Sequence, residues 1–271
     1  MTRFVAAFTL VELLVSLALS SISVLACATL LGFGIRALVK DHDLARQQEN
    51  ARYALRLLVR EIELAGFYAG SSIAPRRSEP LQASPCAAYL LDFDSPLEVL
   101  GEDDISGLPP DCLPAADRVK GADVIVVRRS MDRPSRATSV RAEAIYLQAD
   151  TYEAQILRGE TATEQGLGQV WRYQPAVFYL RSYSVRRGDA QPALCRKRLS
   201  PNRAAMAPTE CLVEGIVALQ VLLSEDFPKR IPSGTAWLSL AAVSPSGRLQ
   251  ARMPLSALVP LRNRAPQVES L

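Results

Sequence analysis

From Leu13 to Ile35 the chain runs for 23 residues without a charged side chain, about 35 Å of helix at roughly 1.5 Å per residue, which matches a bilayer core. A secretory signal peptide carries an apolar stretch of only about 7–15 residues before a small-residue cleavage site. This run is too long for one and is read as a membrane span. The helical pattern continues past Arg36 and Lys40. Leu44, Ala51, Leu55, Leu58, Ile62 and Ala65 recur at three-, four- and seven-residue spacing, with Arg46, Glu49, Arg56, Arg60 and Glu63 on the other side, an amphipathic alternation with helical period. Gly66 is the expected C-cap. One continuous helix from about Phe8 to Ala65 is predicted, half embedded in a membrane and half lying on a folded head.

Residues 71–86, rich in serine and proline, end that helix and lead to a short apolar run, Ala87–Phe93, and then an acidic loop. Strand-like apolar runs follow at Asp123–Arg129, Val140–Gln148, Val170–Arg181, Ala193–Leu199, Val217–Leu223, Ala236–Val243 and Gly247–Met253, separated by glycine, proline and polar breaks. Ser244-Pro245-Ser246-Gly247 reads as a turn, and Arg187-Gly188-Asp189 sits in a polar connection. A helix packed on one face of an antiparallel sheet makes the expected fold class α+β.

Composition narrows the chemistry. With 22% charged and 49% hydrophobic residues in 271, the chain is neither disordered nor collagen-like. Its net charge of +3 is too small to imply a nucleic-acid partner by bulk charge. His42 is the one histidine, which removes most catalytic triads and histidine-rich metal sites, and GxSxG, HExxH and GxxxxGK[ST] are all absent. No enzyme activity and no cofactor are expected. Cys27 falls inside the apolar span, where a thiol behaves as a small apolar group. Cys86, Cys112, Cys195 and Cys211 form an even set that an exported head would oxidise, with three pairings open. Cys86–Cys112 with Cys195–Cys211 is favoured because each bond staples a proline-containing loop.

Glu12 is the residue that the span does not explain. A carboxylate in an apolar segment costs about 2.5–3.5 kcal/mol at mid-membrane and less near an end. Its partner must be Arg3, a lipid head group or a cation on another molecule, unless it snorkels to the interface. Its context is Ala7-Phe8-Thr9-Leu10-Val11-Glu12-Leu13-Leu14-Val15-Ser16-Leu17, which resembles the class III signal of type IV prepilins and type II secretion pseudopilins. Asn50-Ala51-Arg52-Tyr53-Ala54-Leu55, Glu61-Ile62, Ala65-Gly66-Phe67, Leu212-Val213-Glu214-Gly215-Ile216, Leu219-Gln220-Val221 and Leu261-Arg262-Asn263 are similar to segments of PilW-type minor pilins.

The resemblance implies that a prepilin peptidase removes residues 1–7 by cutting between Ala7 and Phe8, and that Phe8 is then N-methylated. Alanine stands here where the family has glycine before the cut. It further implies that Glu12 is the assembly charge, meeting the new N-terminal amine of a neighbouring subunit. The organisation that follows is a leader (1–7), a transmembrane assembly helix (8–35), an amphipathic helix (36–66) and a β-rich periplasmic head (67–271). The implied function is a non-enzymatic minor pilin that primes or caps type IV pilus assembly; the alternative is the bulky minor pseudopilin of a type II secretion system. Implied partners are other minor pilins, the major pilin, the prepilin peptidase, the inner-membrane assembly platform and a tip adhesin. The implied location is the bacterial inner membrane and then the pilus fibre.

Other features carry rival readings. Asp92, Asp94, Glu98, Glu102, Asp103 and Asp104 could gather around calcium or form a solvated acidic loop. Arg186, Arg187, Arg196, Lys197, Arg198 and Arg203 could meet DNA phosphates or be surface charge. Arg187-Gly188-Asp189 could be an adhesion tripeptide or an ordinary turn. Val24-Leu25-Ala26-Cys27 loosely resembles a lipobox, which would make Cys27 a lipidated N-terminus.

Overall fold

One helix, α1 (Leu10–Glu63), joins the apolar span to the head without a break. The computed structural model describes residues 9–71, 73–77, 81–150, 153–162, 169–224, 234–243 and 252–263. Ala7, Phe8 and the expected turn at Ser244–Gly247 lie outside them. The helix is capped by Leu64, not by Gly66. Gly66 sits two residues further on at φ +77°, where an added Cβ would stand 2.7 Å from the carbonyl oxygen of Asn263. Glycine is therefore needed at that bend rather than at the cap.

The face that α1 buries is Asp43, Gln47, Ala51, Ala54, Leu58 and Ile62. Of the expected face Ala51, Leu58, Ile62 and Ala65 are buried and Leu55 is partly so, Leu44 is exposed, and Asp43, Gln47 and Ala54 are buried beside them. The reason is packing distance. Ala51 and Ala54, both fully buried, bring the helix close to the sheet, and the Gln47 amide donates to the carbonyl of Ala242 at 2.7 Å.

Among the described residues twelve strands form three sheets rather than the one sheet expected. The helix packs on the first of these, β10 (Ile216–Leu223), β11 (Thr235–Ala242) and β12 (Met253–Pro260), all antiparallel. The last strand among the described residues is β12, which starts at Met253, the end of the expected strand Gly247–Met253; residues 244–251 lie outside the described set. Pro254 and Pro260 hid it. The Leu261 amide donates to Gly234, and alternation along the ladder puts the two prolines where an N–H would point away from β11, which an edge strand tolerates.

The second sheet runs β2 (Leu97–Leu100), β3 (Val124–Val127), β7 (Ala176–Arg181), β8 (Ala193–Arg198), β9 (Glu210–Glu214). Ile125 and Val127 face the α1 core, while Val124 and Val126 face a second core built with Leu90, Leu108 and Leu113. Covering both faces explains why β3 is an unbroken apolar run. The run Ala87–Phe93 begins within a short helix, α2 (Pro85–Tyr89), whose N-cap Ser84 accepts from the Ala87 amide at 3.3 Å.

The third sheet is β1 (Arg76–Arg77), β5 (Ala154–Arg158), β4 (Ile145–Ala149), β6 (Gln169–Arg172), with α3 (Gly159–Ala162) beside it. The run Val170–Arg181 is thus two strands in different sheets, parted around Gln174-Pro175. Most of this lobe is inserted between β3 and β7. It starts where α1 ends: the Gly66 amide donates to Arg128, the Ser130 amide donates to Phe67, and Arg129 pairs with Glu61 at 2.8 Å. The lobe stands at the end of α1 remote from the apolar span.

Candidate functional site

Among the described residues the head leaves the first half of α1 exposed. Leu10, Val24, Leu30 and Phe33 are each 67–74% exposed, and the helix is long and apolar enough to cross a membrane. An uncovered apolar surface of this extent marks a membrane or a partner. The polar side chains along it are satisfied within the helix. Ser16 donates to the carbonyl of Leu13 at 2.9 Å, Ser20 to Ser16 at 2.6 Å, Ser21 to Ala18 at 2.8 Å, Ser23 to Leu19 at 2.9 Å and Thr29 to Ala26 at 2.8 Å. Such bonding hides hydroxyls from lipid.

Glu12 has a local partner that the sequence reading missed. One oxygen of its carboxylate accepts from the Thr9 amide at 2.9 Å and the Thr9 hydroxyl at 2.8 Å, and its own amide reaches the Thr9 oxygen at 3.4 Å. This is a capping box, and Thr-x-x-Glu ahead of an apolar run is its sequence signature. The signal was present and unread. The box leaves the carboxylate at the very start of the span, able to meet a cation from outside the chain.

In the head, disulfides join Cys86 to Cys112 and Cys195 to Cys211. The first ties α2 to the segment that follows the acidic loop; the second ties β8 to β9, where the two cysteines stand opposite one another. Both lie in the core on the outer face of the second sheet. Cys27 is free and exposed on the apolar half of α1.

The acidic residues do not come together. Glu98 is held by Arg128 at 2.9 Å and by the Tyr89 hydroxyl at 2.6 Å. Glu102 takes both Arg118 nitrogens, at 2.6 and 2.9 Å, and the Gly121 amide, which pull its pKa down to about 2. Asp92 accepts from the Asp94 amide, and Asp103 and Asp104 are exposed. Among the described residues no three potential ligands of this kind meet at one point.

Four of the six basic residues are engaged: Arg187 pairs with Asp117 at 2.8 Å, Arg196 and Arg198 share Glu210 at 2.9 and 3.9 Å, and Lys197 donates to the carbonyl of Asp111. Arg186 and Arg203 are exposed. Asp189 accepts backbone amides from Ser184, Val185, Arg186 and Gln191, which hold its carboxyl far below the usual range. The tripeptide Arg187-Gly188-Asp189 is therefore built into its own turn, with both charges engaged. His42 is exposed on α1.

The comparison that decides the reading concerns the helix. Residues 3–28 match the prokaryotic N-terminal methylation motif. No curated protein matches the chain, and no solved structure does. The methylation motif is the class III prepilin signal, and it supports a pilin or pseudopilin anchored by its N-terminal helix. It covers Thr9, Glu12 and Cys27 and ends inside the uncovered half of α1, so motif and exposed apolar surface coincide. Ala7 and Phe8, where the signal implies cutting and methylation, lie within the motif but outside the described residues.

Proposed function

We propose that this protein is a minor pilin that primes or caps a type IV pilus, acting by association and not by catalysis. The observation that carries the reading is the methylation motif at residues 3–28 on a helix half that the head leaves bare. Removal of residues 1–7 would leave a positive amine on Phe8, and neighbouring apolar helices would bury it. Glu12 supplies the compensating charge to a neighbour's amine, four positions along from Phe8. In the single subunit the Thr9 donors hold that carboxylate in place. During assembly the amine of another subunit offers it a full positive charge, so two groups that are costly in an apolar bundle neutralise one another. Leu13–Ile35 forms the bundle core, and the disulfide-stapled head sets partner choice.

The test is Glu12→Ala in the full chain. Membrane insertion and cleavage should persist, while recovery in sheared surface filaments falls on the order of tenfold or more, the equivalent of about 1.4 kcal/mol. Undiminished recovery would refute the charge-pair account.

A further inference from the structure

The amphipathic half of α1 meets the edge strand β9 where the Asn50 amide donates to the Glu214 carbonyl at 3.1 Å. Beside that contact lies an open groove of about 570 Å³, lined by Asn50 and Tyr53 of the helix, Leu212 of the strand, and Ser184 and Val185 of the β7–β8 connection. Tyr53 is 50% and Val185 77% exposed, among the few large apolar side chains of the head that water reaches. Val185 is held rigidly, because the four amides gathered by Asp189 fix its loop and the Tyr183 hydroxyl is tied to Asp117 at 2.8 Å. A preordered apolar contact of this kind loses little entropy on binding.

Charge and position say what the groove takes. Arg46, Glu49, Arg56 and Glu214 also border it, and none of them is in an ion pair among the described residues, whereas Glu61, Glu98, Glu102 and Glu210 all are. The rim thus offers unspent charge of both signs around an apolar centre, the layout of a protein interface. Strand addition is not the mode, because β9 is bulged opposite Leu194 and Cys195, and a bulged edge resists pairing. Leu17, Ile35 and Tyr53 stand eighteen residues apart on α1, about five full turns each, so they share one line of the helix. Leu17 and Ile35 are 59% and 62% exposed. A helix packed along that line in the apolar half brings its own head to Tyr53.

We infer that the groove receives the head of a neighbouring pilin subunit, seating an apolar side chain between Tyr53 and Val185 with charged residues closing the rim. This rests on the pilin reading above. The test places a photocrosslinking phenylalanine analogue at Tyr53 or Val185 of the full chain in cells, with Leu258 on β12, 57% exposed, as control; adducts are identified by mass spectrometry. Adducts at positions 53 and 185, but not 258, to a protein that carries its own prepilin signal are expected, and Val185→Asp should cut adduct formation at position 53 at least fivefold. Adducts only to lipid or to proteins without that signal, or equal adducts at 258, would overturn the inference. The N-terminus, read in the same sample, separates the two failures: unmethylated Phe8 defeats the pilin reading itself, while methylated, filament-borne protein without adducts defeats only the groove.

Discussion

Arg128 is the largest fully buried side chain among the described residues of the head, and its removal tests how α2 and β2 are tied to β3. Its guanidinium donates to the carbonyls of Ser95 at 2.6 Å and Tyr89 at 3.4 Å, pairs with Glu98 at 2.9 Å, and lies 5.1 Å over the Tyr89 ring. Burial and the neighbouring Glu98 push the Tyr89 hydroxyl up to about 12, so the phenol stays a donor to Glu98. Arg128→Met keeps the volume and strands the carboxylate and both carbonyls. Breaking a buried pair from one side costs about 3–5 kcal/mol. Because the Glu98 side chain is 29% exposed, water recovers part of that loss, and about 3 kcal/mol is expected. In a head of this size that is a fall in Tm of roughly 6–12 °C. The double variant Arg128→Met with Glu98→Leu strands no charge and should be more stable than the single variant, recovering the part of the loss due to the uncompensated carboxylate. The assay is denaturant unfolding of the full chain in detergent, followed by tryptophan fluorescence. A single variant within about 0.5 kcal/mol of the parent would refute the claim that this cation ties α2 and β2 to β3.

Three further outcomes follow from the head. Glu102 has a folded pKa of about 2, below its unfolded value of about 4.3, so its clamp on Arg118 contributes fully above that unfolded value and is lost as pH falls through about 2; the stability difference between parent and Glu102→Gln should be constant near neutrality and vanish below pH 2. Replacing Cys195 and Cys211 by alanine opens a loop of sequence separation 16, and replacing Cys86 and Cys112 one of 26; chain entropy sets the costs at about 3 and 3.5 kcal/mol, read as shifts in the denaturation midpoint without reductant. Gly66→Ala meets both a positive φ and the Asn263 oxygen, so it should destabilise by more than about 1 kcal/mol and free the C-terminal end of β12, which hydrogen exchange at the Leu261 amide would detect.

The parts of the fold governed by local periodicity were legible in the sequence. The span, the continuous helix and the antiparallel character of the apolar runs all follow from spacing. What could not be read was which neighbours the strands choose. The apolar run ending at Arg181 crosses from one sheet to another around Gln174-Pro175, and β12 is disguised by prolines that cost nothing on an outward edge. Most of the buried helix face was legible, but Ala54 and Gln47 were missed and Leu44 was wrongly included, because hydrophobicity alone favours leucines whereas alanines allow close approach. At the candidate site Glu12 stood out as a misplaced charge. Thr9 did not, although the capping-box spacing was visible. The Arg187-Gly188-Asp189 turn and the acidic loop were ambiguous because a charge written in sequence does not show its partner; Asp117, Arg118 and Arg128 supply those partners from distant strands and loops.

The central claim is that this chain is processed and assembled as a pilin, and the mature N-terminus tests it most directly. Mass spectrometry of the protein from membranes and from sheared surface filaments of the same cells should find residues 1–7 absent and Phe8 N-methylated in both fractions. An N-terminus at Met1, or a lipidated Cys27, would contradict the account.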